Sequence, residues 1–544
     1  MSEALHIVVG CVLALGAWLL PRRVAKARTD SAPALLLDVL PILLAGSLVL
    51  TATGRPIFTG ALLISLGAGF ALADRTKREV LREPVVFSEM SELPHVFTHP
   101  QLYLPFAGPA LVMGGAAAAI ALCVALLSFE PALWEPDPLL LLFYGGLVVA
   151  GVWLISRQPT LGAAAAALRE LGATGEPFRD AATLGPFAMV LTYGVIARAE
   201  RASRRARHAP PPVPALGRAR SQPAVPLILV QCESFFDARR LSPMIPQGLL
   251  SGFDACCGSG GTFGRLQVPG WGANTMRAEF AVLTGIPESE LGYDRFNPYH
   301  AFARVPIASL VWHLRAQGYR TVCLHPFDRS FFRRDLTLPA LGFETFLGIE
   351  TLGGSRRPPY YSDPELADHV LRVLDAEGPR VFIFAITMGN HGPWHEAGPP
   401  INPELRRNFD GTGLPQGGEL LRYLDGLRRS DEMLQILLTG LQRQREGVLS
   451  FYGDHLPSLP KAFRHFGFEE MGSDYVVWRA GATAKQQLDL PAHRLPRLVI
   501  DARGQVWQVF FREVGANVDA LARAQHAYVV DEQDTTDVTH LAPA

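Results

Sequence analysis

The chain has 544 residues, 49% of them apolar, and a formal net charge of −1. It is too long for one ordinary domain and too hydrophobic in one half to be wholly water-soluble. The near-zero charge supplies no overall field of the kind that marks a nucleic-acid binder, so no nucleic-acid partner is expected.

In chain order, the residues up to about 199 form long apolar runs. Five segments are apolar over the length that crosses a bilayer, about 17–25 residues: 5–20, 33–53, 56–73, 104–127 and 139–155. The first lacks a small-residue cleavage site and precedes further spans, so it reads as an ordinary first span or a signal anchor. A sixth segment, 183–197, is shorter and weaker, and reads either as a span or as an interfacial amphipathic helix. Basic residues follow the first span (Arg22, Arg23, Lys26, Arg28), the third (Arg75, Lys77, Arg78, Arg82) and the fifth (Arg157). Residues 129–138 carry Glu130, Glu135 and Asp137 and no basic residue. The positive-inside tendency then puts the N-terminus outside, and a sixth crossing delivers the C-terminal half to the extracytoplasmic, periplasmic side of the inner membrane. Without that crossing the same tendency leaves it in the cytoplasm.

The run RAERASRRAR at 198–207 reads as a stop-transfer flank or as a collar on anionic headgroups, worth about 1 kcal/mol per charge. The collar suits an enzyme working on membrane lipids. Residues 209–226 are Pro-rich and read as a semi-rigid linker. The expected division is a transmembrane domain at 1–199, a basic linker at 200–224, a catalytic domain at 225–515 and a tail at 516–544. Of six cysteines, Cys11 and Cys123 lie in apolar runs, and Cys232, Cys256, Cys257 and Cys323 show no CxxC spacing. Neither a zinc finger nor a disulfide framework is indicated.

Past the linker, apolar runs at 225–230, 320–324, 381–387 and 448–452 read as strands buried on both faces. Helical patterns at 307–317 and 364–374 lie between them. This alternation indicates an α/β domain with a mostly parallel central sheet, whose ligands bind beyond the carboxyl ends of the strands. Glu233, His325, His391, Asp454 and His455 stand at those ends.

The stretch GWGANTMRAEFAVLTG at 270–285 puts Thr275 in a glycine-rich turn just before a helical run. Thr275 reads either as a helix N-cap or as a nucleophile at an anion-favouring helix N-terminus. Two carboxylates, an imidazole and a Thr oxygen suit a divalent ion of intermediate hardness, Mn²⁺ first, with Mg²⁺ and Zn²⁺ as competitors. Such an ion lowers the pKa of the hydroxyl and makes it nucleophilic at neutral pH.

The motifs CESFF around Glu233, GANTMRAEFAVLTG around Thr275, HPFDRSFFRRD from His325 to Asp335, GNHGPW around His391 and YGDH at Asp454 and His455 occur in one order. In that order the chain resembles the lipoteichoic acid synthase-like phosphoglycerol transferases of the sulfatase and alkaline phosphatase superfamily. The resemblance implies an alkaline phosphatase/sulfatase-like α/β domain after a multi-span helical membrane domain. It implies Glu233, Thr275, Asp454 and His455 as metal ligands, with Thr275 as nucleophile. Arg334 and His391 match residues that hold the phosphoglycerol head, and His325, Phe331 and Phe332 fit the pocket wall. Phe327 stands where the family often has an acidic residue, and Arg333 replaces a smaller polar one. Trp271 and Trp394 read as packing residues.

The implied activity moves glycerol phosphate from phosphatidylglycerol to a glycan or glycolipid acceptor through a phosphothreonine, with His391 as a proton source for the departing diacylglycerol. A phosphoethanolamine transferase or sulfatase-type hydrolase of the same superfamily is the nearest rival. A non-catalytic membrane scaffold or sensor is the rival from another class.

Overall fold

The computed structural model describes residues 2–210, 224–353, 355, 360–394 and 401–503. Residues 211–223 of the linker expected at 200–224, the tail at 516–544 and the end of the catalytic domain past 503 lie outside the described residues.

Among the described residues, four N-terminal helices are long and apolar enough to cross a membrane: Glu3–Ala25, Ala32–Thr53, Pro56–Val80 and Pro109–Phe129. A further helix, Pro138–Ser156, bends by 85° into the helix that follows it. Small residues let the first and third helices pack closely. A Cβ on Gly60 would lie 2.5 Å from the Gly10 carbonyl, and one on Gly67 would lie 2.5 Å from that of Ala17. Both contacts require the two helices to run parallel. The second helix returns between them, and Asp38 near its start binds Arg22 at 2.6 Å and the Trp18 indole at 2.8 Å. Glu130, just past the fourth long helix, caps the third by accepting from the Ile57 and Phe58 amides. Directions therefore alternate, and the ends at Ala25, Val80 and Pro109 share one side with the catalytic domain.

Of the two readings of the sixth segment, the structure fits the one without a separate crossing: residues 186–197 belong to helix Pro186–Arg207, whose first turn is capped by Asp38 and whose last turns reach the catalytic domain. The first helix starts on the side away from that domain. The basic residues after the first, third and fifth spans consequently lie on the catalytic-domain side rather than across the membrane from it. Three of them are paired locally, by Arg22–Asp38, Lys77–Glu83, Lys77–Glu89 and Arg78–Asp74.

The basic run at 198–207 is a strut. It continues helix Pro186–Arg207 through the boundary expected at residue 199. Arg201 and Arg204 both bind the buried carboxylate of Asp294, and Arg205 donates to the Ala301 carbonyl. Those arginines hold protein rather than headgroups.

The soluble half is an α/β domain around a sheet of order β4-β3-β5-β1-β6-β7-β2-β8, with β9 paired to β2. The strands are β1 (Leu227–Cys232), β2 (Gly261–Gln267), β3 (Arg320–Leu324), β4 (Thr345–Leu347), β5 (Val381–Ile386), β6 (Val448–Gly453), β7 (Ser473–Arg479), β8 (Gln486–Gln487) and β9 (Leu490–Pro491). Strands β4, β3, β5, β1 and β6 are mutually parallel, and β7 runs antiparallel to both β6 and β2. Alternation along β1 sends Ile228, Val230 and Cys232 into one core and Leu227 and Leu229 into the other. Both faces are apolar, so the strand is a continuous hydrophobic run in sequence. Parallel pairing then brings the carboxyl ends of β1, β3, β5 and β6 to one edge.

Reporters fused at the N-terminus and after residue 544 should read opposite sides of the membrane in cells. Reporters reading the same side would overturn the five-crossing arrangement.

Candidate active site

Three strand ends build the metal cluster. Glu233 follows β1 directly, and its amide donates to the Thr387 hydroxyl beyond β5 at 2.9 Å. Ser234 adopts a left-handed backbone (φ 56°), which turns its amide onto Asp454 Oδ1 at 2.8 Å. Asp454 follows β6, and its Oδ1 also accepts the His455 amide at 2.9 Å. Oδ2 of Asp454 is buried and has no hydrogen-bond partner. His455 Nδ1 donates to the Leu456 carbonyl at 3.0 Å, which leaves Nε2 with its lone pair when the ring is neutral. That Nε2 lies 3.5 Å from Glu233 Oε1, 3.3 Å from Asp454 Oδ2 and 3.5 Å from Thr275 Oγ1. The residues expected as ligands therefore converge on one point.

Glu233, Asp454 and His455 could hold a metal ion, with one ligand atom from each within 4.8 Å of the others, and all three are buried. Burial and the neighbouring Asp454 charge push the Glu233 carboxyl up to about 8. Two buried carboxylates, one with an orphaned oxygen, and a correctly presented imidazole fit a divalent cation.

Thr275 opens helix Thr275–Thr284, all of whose residues are buried. Asn274, in the left-handed region at φ 67°, is the cap residue. Thr275 is thus the first helical residue rather than the N-cap, and its hydroxyl faces His455. The cap alternative is removed.

The pocket around this point is lined by Thr275, His325, Phe331, Phe332, Arg334 and His391, among others. Arg334 is 2% exposed and heavily engaged. Its Nε and Nη2 bind the Glu279 carboxylate, Nη2 at 2.9 Å, and its Nη1 lies 3.2 Å from His325 Nε2. Glu279 stands one helical turn after Thr275 and also accepts from Tyr299 and Gln231. Burial and the Arg334 charge hold His325 well below the usual imidazole range. Burial likewise lowers His391, whose Nδ1 donates to the Gly392 carbonyl at 2.5 Å. When neutral, the ring presents a lone pair at Nε2.

Sequence reasoning missed one wall. Leu102, Tyr103 and Phe106, from the connection between the third and fourth long helices, line the same pocket. Leu102 clusters with Phe327, Phe331 and Met388. Phe327 is fully buried there. Its departure from an acidic residue thus matches the apolar surface that the membrane domain lays over it. No local signal in residues 99–107 announces this role. Glu279 had one: a buried arginine such as Arg334 needs a carboxylate partner. Trp271 is buried in the core, and Trp394 packs against Tyr423 and also lines the pocket.

Residues 262–496 match the family model described as Sulfatase, a stretch holding Thr275, Asp454 and His455. Over that stretch the α/β domain is sulfatase-like. Among curated proteins, the chain is similar to a capsular polysaccharide biosynthesis protein of Rhizobium meliloti, 28% identical over 81% of this chain and 80% of that one. It is also similar to a putative cyclic beta-1,2-glucan modification protein of the same organism, 31% identical over 47% of this chain and 39% of that one. Among solved structures, it is similar to the integral membrane lipooligosaccharide phosphoethanolamine transferase A of Neisseria meningitidis, with TM-score 0.54 and 12% identity. That likeness covers 93% of this chain and 97% of the other, so the sulfatase-like domain and the membrane helices share its fold together.

The site makes a pH-dependent prediction. Glu233 is raised from 4.5 to about 8, so the metal-free protein gains stability from its protonated form below about pH 4.5 and loses it as pH rises towards 8. Thermal unfolding of metal-free protein should fall across that window, and Mn²⁺ should remove the slope and release a proton on binding below pH 8. A Glu233→Gln variant should lack both effects. A slope that Mn²⁺ leaves unchanged would count against the metal site.

Proposed function

We propose that the chain is a membrane-bound phosphoglycerol transferase that moves glycerol phosphate from phosphatidylglycerol to a glycan acceptor through a covalent Thr275 intermediate. One observation carries the reading. The Thr275 hydroxyl faces the Glu233, Asp454 and His455 cluster inside a pocket that the membrane domain itself walls. A divalent ion in that cluster, Mn²⁺ by donor hardness with Mg²⁺ or Zn²⁺ as competitors, would acidify the hydroxyl and offset charge on the phosphoryl oxygens.

Thr275 Oγ attacks phosphorus as the bond to diacylglycerol breaks, and the threonine proton ends on the departing alcohol. The product is a phosphoglyceryl-threonine diester. An acceptor hydroxyl then attacks the same phosphorus, its proton passing to His391 Nε2 and from there to Thr275 Oγ as the bond to Thr275 breaks. Arg334, fixed by Glu279, presents its remaining N–H groups to the phosphoryl oxygens. Leu102, Phe331 and Phe332 offer the glyceride end an apolar surface. The names of the two Rhizobium relatives support a glycan as acceptor.

The reading places the sulfatase-like domain on the extracytoplasmic, periplasmic face of the inner membrane, where the reporter after residue 544 should be found. The basic loops at this end run against the positive-inside tendency, and their pairing with Asp38, Asp74, Glu83 and Glu89 supports the placement.

The full-length protein incubated with labelled lipids should release diacylglycerol from phosphatidylglycerol, and Thr275→Ala should abolish release at least ~10³-fold. Release from phosphatidylethanolamine but not phosphatidylglycerol would transfer the assignment to a phosphoethanolamine transferase. Activity unchanged in Thr275→Ala would sink both.

A further inference from the structure

The end of the third span touches the catalytic machinery from behind at three places. Glu83, just past helix Pro56–Val80, accepts two hydrogen bonds from Arg277, at 3.2 and 2.9 Å, and also pairs with Lys77 at 3.0 Å. Arg277 sits two residues after Thr275 in the same helix and is 7% exposed. The Arg82 guanidinium stacks over Trp271, in the loop that leads to Thr275, at 3.5 Å from the ring centroid. Ser458, three residues after His455, donates to the Val80 carbonyl at 3.0 Å. The fit is close at backbone level as well, since a Cβ on Gly272 would come within 2.7 Å of that carbonyl.

The loop before Thr275 is anchored in the α/β core by Trp271, packed against Phe463, and from the other side by the membrane domain. Gly270 and Gly272 take positive φ, which glycine adopts freely, and Asn274 takes it without that freedom. The contacts on the membrane-domain side come from Val80, Arg82 and Glu83. A buried ion pair that loses one partner leaves an uncompensated charge, so Arg277 without Glu83 has reason to move and to carry its helix along. A displacement of about 1 Å at a reacting atom costs on the order of 10²-fold in rate.

We propose that the Glu83–Arg277 ion pair is a latch by which the membrane domain sets the position of Thr275 against Glu233, Asp454 and His455. Glu83 and Arg277 are positioning residues, and the membrane domain is part of the nucleophile's mounting as well as an anchor. The inference rests on the reading of Thr275 as the nucleophile.

The test uses full-length protein in lipid nanodiscs. Glu83→Gln should lower kcat for diacylglycerol release from phosphatidylglycerol at least ~10-fold with KM within about twofold, and Arg277→Lys, which keeps the charge, should fall between it and wild type. Hydrogen exchange should speed up across residues 270–278 and stay unchanged across 448–453. A kcat within twofold of wild type, or unchanged exchange at 270–278, overturns the latch. If Glu83→Gln does not fold, Arg277→Lys makes the same comparison against wild type. A wild type that releases no diacylglycerol from any lipid contradicts the proposed activity instead, and the exchange comparison still decides the latch.

Discussion

Two carboxylates that repel each other in a buried space are the constraint on which the active site depends. Glu233 and Asp454 are 5% and 2% exposed, and both lie within 3.5 Å of one imidazole nitrogen. The protein invests backbone geometry in holding them there: a left-handed Ser234, two amides on Asp454 Oδ1 and a serine hydroxyl on Glu233. Those bonds satisfy some lone pairs and leave Asp454 Oδ2 with none. A cation at that point turns repulsion into coordination, and the hydroxyl of Thr275 stands close enough to share it. The parallel sheet is what allows this, because β1 and β6 are adjacent and deliver Glu233 and Asp454 to the same edge.

The same economy of charge explains how the two halves of the chain meet. At their junction several basic residues are matched by carboxylates, some of them distant in sequence: Arg22 by Asp38, Lys77 and Arg277 by Glu83, Arg201 and Arg204 by Asp294. Partnered in this way, basic residues near a membrane stop acting as free headgroup binders and become struts. The pocket inherits its character from that junction. Its polar side is made by strand ends of the sulfatase-like domain, and part of its apolar side by Leu102, Tyr103 and Phe106 of the membrane domain. That pairing of a polar and an apolar side supports the proposed lipid substrate, charged at one end and apolar at the other.

The sheet was legible in sequence because its central strands are buried on both faces. Val381–Ile386 and Val448–Gly453 appear as unbroken apolar runs that end in ionisable residues. The cluster was legible because Glu233, Thr275, Asp454 and His455 each follow or open such an element. What sequence did not carry was pairing across distance. The runs after the first and third spans read as free positive charge because Asp38 and Glu83 were not known to sit beside them. The segment 183–197 read as a candidate span because a helix capped by Asp38 and pinned by Asp294 carries no hydropathy signal of either contact. The antiparallel strands β2 and β7 and the long helix Gly417–Gln444 went unread, the strands for lack of a continuous apolar run and the helix because its apolar stripe is interleaved with charge.

The account stands on a covalent bond between Thr275 and the phosphoryl group it transfers. Intact mass spectrometry of the full-length protein after brief exposure to phosphatidylglycerol without acceptor measures that bond directly, with fragmentation to locate it. The account predicts a glycerol phosphate adduct on the peptide that contains Thr275, absent from Thr275→Ala and lost when acceptor glycan is added. An adduct on any other residue, or turnover with no adduct at any time, would contradict it.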